Sequence, residues 1–560
     1  MVQSRAALRK LEPAVQRRLE DAAHIVERIW ARDASLWKDE PSHQKIIRNR
    51  LGWLDIAGKM RERVDELKAL AHEVWSEGFR DVLLLGMGGS SLCVEVFRQV
   101  YGPQPNAPRL WVLDTTHPDT IRRLEKQIDL ERTLFIVSSK AGTTTETRSF
   151  EAYFLDQVRK HRGEEAGRQF IAITDPDTPL AAFAREQHYR HLFLNPPDIG
   201  GRYSGLSYFG QVPAALAGID IARMLDQAEV MIQACKPHVP AQENPGAWLG
   251  VIMGEAALAG RDKLTIIVPP QLASFGLWVE QLLAESTGKE GKGIVPIAGE
   301  EVGPPDVYGD DRLFVYLTVE GAHGLDDRVA ALEEAGHPVV YLHMPGISWI
   351  GAEFYRWEIA TAVAGAILGI NPFDEPNVAE SKENTRKALE RYTAEGRLPE
   401  EEPALVANGV ALYGQGVQAD SWEEALRAHL RQARPGEYVA FMAYLDSAGL
   451  YEDTLQAIRL KVREALRVAT TLGYGPRFLH STGQLHKGGP DSGVFVQITD
   501  GAEDLPIPGK PYTFGTLIAA QALGDLQSLR ARGRRVIRLH LKRDTTEGLE
   551  RVLRAVEDLK

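Results

Sequence analysis

The strongest constraint in this chain is an alternation. Residues 81–85, 110–113, 134–137 and 170–173 are short apolar runs, and each is followed by a polar loop and then by apolar residues at helical spacing. Runs this short, apolar throughout and separated by helices predict parallel strands covered on both faces. A second series begins near Asn244, with strands expected over 263–268, 293–297, 313–317 and 339–342. Helices are expected between and after them, over 245–259, 275–286, 326–335 and 351–368. Before the alternation, Leu8, Leu11, Val15, Leu19, Ala22 and Val26 recur at three- and four-residue spacing, so residues 1–59 read as a helical segment. The expected organisation is α/β: that N-terminal segment, one parallel-sheet unit over 60–235, a second over 236–420, and a mixed C-terminal extension over 421–560 packing on both.

Composition enters through what it excludes. The net charge of -12 over 560 residues gives no general attraction to nucleic acid or to an anionic membrane. The basic run 530–543 is the local exception, and its alternation of Val536, Arg538, Leu539, His540 and Leu541 predicts an exposed or edge strand. Cys93 and Cys235 are the two cysteines, too few for a disulfide framework or a zinc site, so both are expected as small core residues. The N-terminus lacks the apolar region of a signal peptide, and the longest apolar stretch, 359–370, is too short to span a bilayer. The expectation is a soluble cytoplasmic protein with no metal and no cofactor.

Two loops follow strands in the first series. Gly86-Met87-Gly88-Gly89-Ser90-Ser91 is a glycine-rich turn, but it lacks the third glycine of a dinucleotide fingerprint. Ser138 to Thr145 groups hydroxyls and Lys140 around Gly142 ahead of a helix, where free N–H groups and the helix dipole favour an anion. A plainer reading competes with the second, because Thr143 and Glu146 have capping-box spacing. Both loops occupy the carboxyl end of a parallel sheet, so one ligand can touch both.

Further along, Gly200 and Gly201 precede Arg202, which suits close approach of backbone and guanidinium to a ligand, or a tight turn with a structural ion pair. On helix 275–286, Gln281 and Glu285 share a face ahead of the loop 288–293. Glu285 is a general-base candidate if burial raises its pKa; otherwise it is a solvated glutamate. Residues 371–382 form a two-proline turn and a short helix carrying Lys382. The loop 478–496 is dense in glycine and holds His480 and His486, neither with metal-ligand company.

Taken in order, GMGGSS, SSKAGTTTET, GGRYS, QLLAESTGK and NPFDEPNVAESK resemble the glucose-6-phosphate isomerase family, over roughly Leu51 to Lys382. The resemblance implies two sugar-isomerase (SIS) domains, each a parallel sheet between helix layers. The chain from about Glu27 onward is also similar to the isomerase half of bacterial transaldolase–isomerase fusions, and the short N-terminal segment leaves no room for a transaldolase barrel.

Carried over motif by motif, the resemblance implies that Gly89 and Ser90 contact the sugar. Ser139, Lys140, Thr143 and Thr144 would surround its phosphate. Gly201 and Arg202 would lie against the substrate, with Arg202 stabilising an enediolate. Gln281 would position the substrate, Glu285 would move a proton between C2 and C1, and Lys382 would assist ring opening. The implied reaction interconverts glucose 6-phosphate and fructose 6-phosphate in a homodimer. A dual phosphoglucose/phosphomannose isomerase and a non-catalytic SIS sugar-phosphate sensor are the alternatives, and Glu285 with Lys382 favours the enzyme.

Three departures from the family pattern stand out. Ala141 replaces a common phosphate-binding threonine, and Glu375 replaces a common glutamine. The family's ring-opening histidine follows a GxNGQ-like motif placed before the lysine motif and comes from the partner subunit. Here the similar His480-Ser-Thr-Gly-Gln484 lies after Lys382, so His480, with His486 as second choice, takes that role.

Overall fold

The computed structural model describes residues 4–559 apart from 400, 448, 502 and 543. The first sheet has five parallel strands in the order Arg109–Leu113, Asp81–Gly86, Thr133–Ser138, Phe170–Thr174, His191–Leu194. Asp81–Gly86, Thr133–Ser138 and Phe170–Thr174 are buried along their whole length, as expected for strands roofed by helices on both faces. From Asp81–Gly86 the chain moves to one neighbour, then crosses back to Thr133–Ser138 on the other side. The loops leaving these two adjacent strands therefore diverge, and the crevice between them opens at the carboxyl ends.

The second sheet runs Ser4–Ala7, Val339–Met344, Arg312–Val319, Lys263–Ile267, Val295–Ile297. Its first strand pairs antiparallel and the rest are parallel. The N-terminal segment is thus not wholly helical, since residues 4–7 complete an edge of this sheet. Its main helix, Glu12–Trp30, buries Val15, Leu19, Ala22, Val26 and Ile29 at the spacing read from the sequence. Ahead of the first sheet the chain forms two helices, Ile56–Arg61 and Val64–Ser76. The apolar stretch 359–370 falls largely within helix Ile350–Leu368, which is buried continuously from Ile350 to Gly365. Among the described residues no helix is long and apolar enough to cross a membrane.

The third sheet has six strands in the order Leu405–Ala407, Val410–Tyr413, Arg535–Leu541, Gly493–Asp500, Tyr438–Tyr444, Ala469–Tyr474. It begins before residue 421, at a hairpin whose turn residues Asn408 and Gly409 have φ of 52° and 80°. Asn-Gly is the dipeptide that accepts two positive φ values in a row most readily. The edge-strand expectation for the basic run is corrected here. Arg535–Leu541 is internal, hydrogen-bonded to Val410–Tyr413 on one side and Gly493–Asp500 on the other. Its flanking arginines are neutralised locally, Arg535 by Glu437 and Arg534 by Asp491, each at 2.8 Å. Arg543, which ends that run, lies outside the described residues.

Candidate active site

The crevice of the first sheet is built by close backbone approach. Gly88 has φ +54°, and a Cβ there would lie 2.7 Å from the His480 carbonyl. A Cβ on Gly89 would lie 2.2 Å from the carbonyl carbon of Gly201, so the GMGGSS turn and the GGRYS turn are pressed together where no side chain fits. Ser90 sits at the start of the following helix, and its carbonyl accepts a 3.0 Å hydrogen bond from Ser138 Oγ, tying the two diverging loops.

In the loop after Thr133–Ser138 the hydroxyls divide. The Ser139 hydroxyl is turned inward, 3.0 Å from Thr144 Oγ1 and accepting from the Gly142 N–H at 3.1 Å. Thr143 and Thr144 line a cavity of about 360 Å³ together with Glu146, Lys382, His480 and Gln521. The Lys140 ammonium instead bonds Asp175 and the Pro197 carbonyl, so its charge is spent at the end of the neighbouring strand. Burial lowers its pKa against the opposing pull of Asp175. Helix Thr145–Arg162 starts without a side-chain cap, which corrects the capping-box reading. The Glu146 carboxylate faces His480 Nε2 at 2.9 Å and accepts from Gln521 Nε2 at 2.7 Å. The first-turn N–H groups are thereby left to an anion.

Opposite this loop stands helix Ala273–Thr287, which presents Gln281 and Glu285 on one face. Gln281 Nε2 donates to Glu285 Oε2 at 3.2 Å and to the His480 carbonyl at 2.7 Å, so one amide ties the helix to the C-terminal loop. Arg202 is buried, with Nη1 3.5 Å from Glu285 and 3.0 Å from Glu375. Its Nε donates to Ser286 Oγ at 2.8 Å, and Nη2 donates to the Pro372 and Asp374 carbonyls, each at 2.9 Å. Burial raises the Glu285 carboxyl above its ordinary range; Arg202, His480 and Lys382 oppose the shift, while Glu375 reinforces it. Glu146 shows the opposite outcome. Burial would raise it, but the charge of His480, its hydrogen bond and Lys382 hold it below the ordinary range.

The structure brings together Gly89, Ser90, Thr143, Thr144, Gly201, Arg202, Gln281, Glu285, Lys382 and His480. Three expected residues stand apart. The Ser139 hydroxyl is turned inward to Thr144 and the Gly142 N–H, and Lys140 is turned to Asp175. His486 is buried with its ring 5.9 Å from Phe478 and 5.1 Å from Phe495, and burial carries its pKa far below the ordinary value. The histidine that the fold brings to Glu146 is His480, whereas His486 lies in the core. Sequence reasoning missed Glu146 as a partner for histidine, because its spacing to Thr143 suggested a cap. It also missed Gln521, since nothing local marks one glutamine on an apolar helix.

A family model described as phosphoglucose isomerase matches residues 54–299. Over this part the chain is similar to the phosphoglucose isomerase family. A glucose-6-phosphate isomerase of Carboxydothermus hydrogenoformans is 28% identical over 420 residues, covering 64% of this chain and 89% of that one. The crystal structure of a hypothetical protein from Thermus thermophilus matches with TM-score 0.59 at 25% identity, covering 69% of this chain and 99% of that one. A glucose-6-phosphate isomerase of Chlamydia trachomatis shares the fold with TM-score 0.51 at 20% identity, over 65% of this chain and 77% of that one. The region matched to the phosphoglucose isomerase family contains both crevice loops, Arg202, Gln281 and Glu285, whereas Lys382, His480 and Gln521 lie beyond it.

Proposed function

We infer that the protein interconverts D-glucose 6-phosphate and D-fructose 6-phosphate through a cis-enediol, a reading supported by relatives that are named glucose-6-phosphate isomerase. The observation that carries this reading is the pairing of two acid–base groups across one crevice. Glu285, its carboxyl raised by burial and flanked by Arg202 and Gln281, is placed to act as a base. His480, braced by Glu146, lines a cavity with Lys382, and the charges of both act on Glu285.

In this mechanism the phosphate sits on Thr143, Thr144 and the uncapped helix start, and that remote anchor orients the sugar carbons. His480 and Lys382 manage protons at the ring oxygen and the anomeric hydroxyl to open the ring. Glu285 removes the proton from C2 of the open aldose and returns it to C1. Arg202 and the backbone beside Gly89 and Gly201 stabilise the oxygen charge that develops between these steps. The reaction belongs to glycolysis and gluconeogenesis in the cytoplasm, in a homodimer as the family resemblance implies.

The test is Glu285→Gln in a coupled assay on fructose 6-phosphate. Turnover falls by roughly 10²–10⁴-fold, the usual range for loss of a general base, while phosphate-ligand binding is retained. A variant within a few-fold of the parent enzyme would remove Glu285 from the chemistry.

A further inference from the structure

We propose that Glu375 is a positioning residue: it holds the Arg202 guanidinium from the solvent side, and the bound substrate's oxygen reaches Arg202 by displacing the Glu375 carboxylate. The inference rests on the isomerase reading above and concerns a residue in which this chain departs from the family pattern.

The argument starts from the donor inventory of Arg202. A guanidinium has five N–H donors. Nε is taken by Ser286, and Nη2 is taken by the carbonyls of Pro372 and Asp374. Nη1 is the remaining nitrogen, and two carboxylates compete for it: Glu375 at 3.0 Å and Glu285 at 3.5 Å. Only one of the three groups can move away cheaply. The side chains of Arg202 and Glu285 are 3% and 10% exposed, whereas that of Glu375 is 46% exposed. Glu375 can therefore turn into water when an anion arrives, while Arg202 stays fixed by its backbone partners.

The charges around the clamp set what its removal does. Glu375 feels Arg202, Lys289 and Arg50, and Glu285 feels Arg202, Glu375, His480 and Lys382. Lys289 is itself bound to Asp374 at 2.7 Å, which in turn lies 3.3 Å from His43. Glu375 is the member of this set that opposes ionisation of Glu285. Replacing it by a neutral isostere removes both a competitor for Arg202 and a like charge beside the base.

Glu375→Gln keeps an acceptor for Arg202 and the shape of the turn. For this variant KM for fructose 6-phosphate should fall about 3-fold, a size in keeping with a half-exposed ion pair. The acid limb of kcat/KM should move to lower pH, since Glu285 then ionises more readily. Titration of fructose 6-phosphate into Glu285→Gln and into the Glu285→Gln, Glu375→Gln double variant gives an independent reading, with tighter binding expected in the double variant. A KM that is unchanged or raised, or an acid limb that stays in place, overturns the proposal. Parent protein without isomerase activity defeats the function itself, and is thereby distinguished from failure of the Glu375 role.

Discussion

His480 Nε2 lies 2.9 Å from Glu146 Oε1 within one chain, although 334 residues separate them. Glu146 begins a helix of the first sheet's layer, and His480 follows a strand of the third sheet. Gln521, on a third-sheet helix, holds the same carboxylate oxygen and accepts from Thr116 at 2.8 Å. The C-terminal region is therefore part of the crevice wall.

The dyad makes a first prediction. His480→Ala and Glu146→Gln should each lower kcat on the cyclic sugar phosphate by about 10²-fold, in the range of a lost acid–base contribution. His486→Ala should spare kcat and instead lower the denaturation midpoint, at a cost of about 1–3 kcal/mol for a vacated core position. Steady-state kinetics and urea unfolding on the same three variants separate chemistry from packing. Loss of kcat in His486→Ala with normal stability would reverse the assignment of the two histidines.

Placement of His480 in the same chain as Glu285 makes a second. When Glu285→Gln and His480→Ala chains are co-expressed and purified as mixed assemblies, activity should stay at the level of each variant alone. If histidine came from a partner subunit, a mixed dimer would regain one intact site out of two. Recovery of a substantial fraction of parent activity would thus refute the single-chain site.

A third concerns the anion cradle. Ala141 is exposed at the mouth of the loop and lines the cavity with Thr143 and Thr144. Ala141→Thr adds one hydroxyl donor there, and KM should fall about 5-fold, the scale of one net hydrogen bond of about 1 kcal/mol. An unchanged KM would place the phosphate away from this edge of the loop.

A fourth follows from buried histidines in the third-sheet unit. Burial lowers His429 to about 4 and His486 well below its ordinary value. In the unfolded chain both take up protons near pH 6.5, so below that pH the unfolded state binds more protons than the folded one. Stability is therefore fully present above about pH 6.5 and is lost as pH falls toward the folded pKa, by up to ~3 kcal/mol for His429. Urea midpoints measured from pH 7 to pH 4 should decline, and His429→Gln should flatten the decline. Parallel slopes for parent and variant would exclude this histidine as a source.

The first two sheets were largely legible in the order of residues, because a fully buried parallel strand must be an unbroken apolar run. The loops were legible as well, since glycines and hydroxyls at strand ends are costly anywhere but a turn or a site. The hairpin at Asn408-Gly409 carried a readable local signal. The strand Ser4–Ala7 was not legible, because SRAA has no β-pattern of its own and is ordered by pairing with Val339–Met344. Arg535–Leu541 misled for a related reason. Its arginines suggest solvent, but Glu437, Asp491 and Gln497 compensate them from other segments.

By itself the sequence determined the parallel architecture, the positions of the crevice loops and the candidates Arg202, Gln281, Glu285 and Lys382. The architecture is set by local periodicity, and the candidates by motifs that resemble those of the isomerase family. Only the tertiary structure placed His480 against Glu146 and His486 in the core, gave Glu146 to the histidine rather than to a helix cap, and turned Lys140 toward Asp175. Each of those outcomes depends on which polar groups meet after distant segments pack, and short-range spacing carries no record of such encounters.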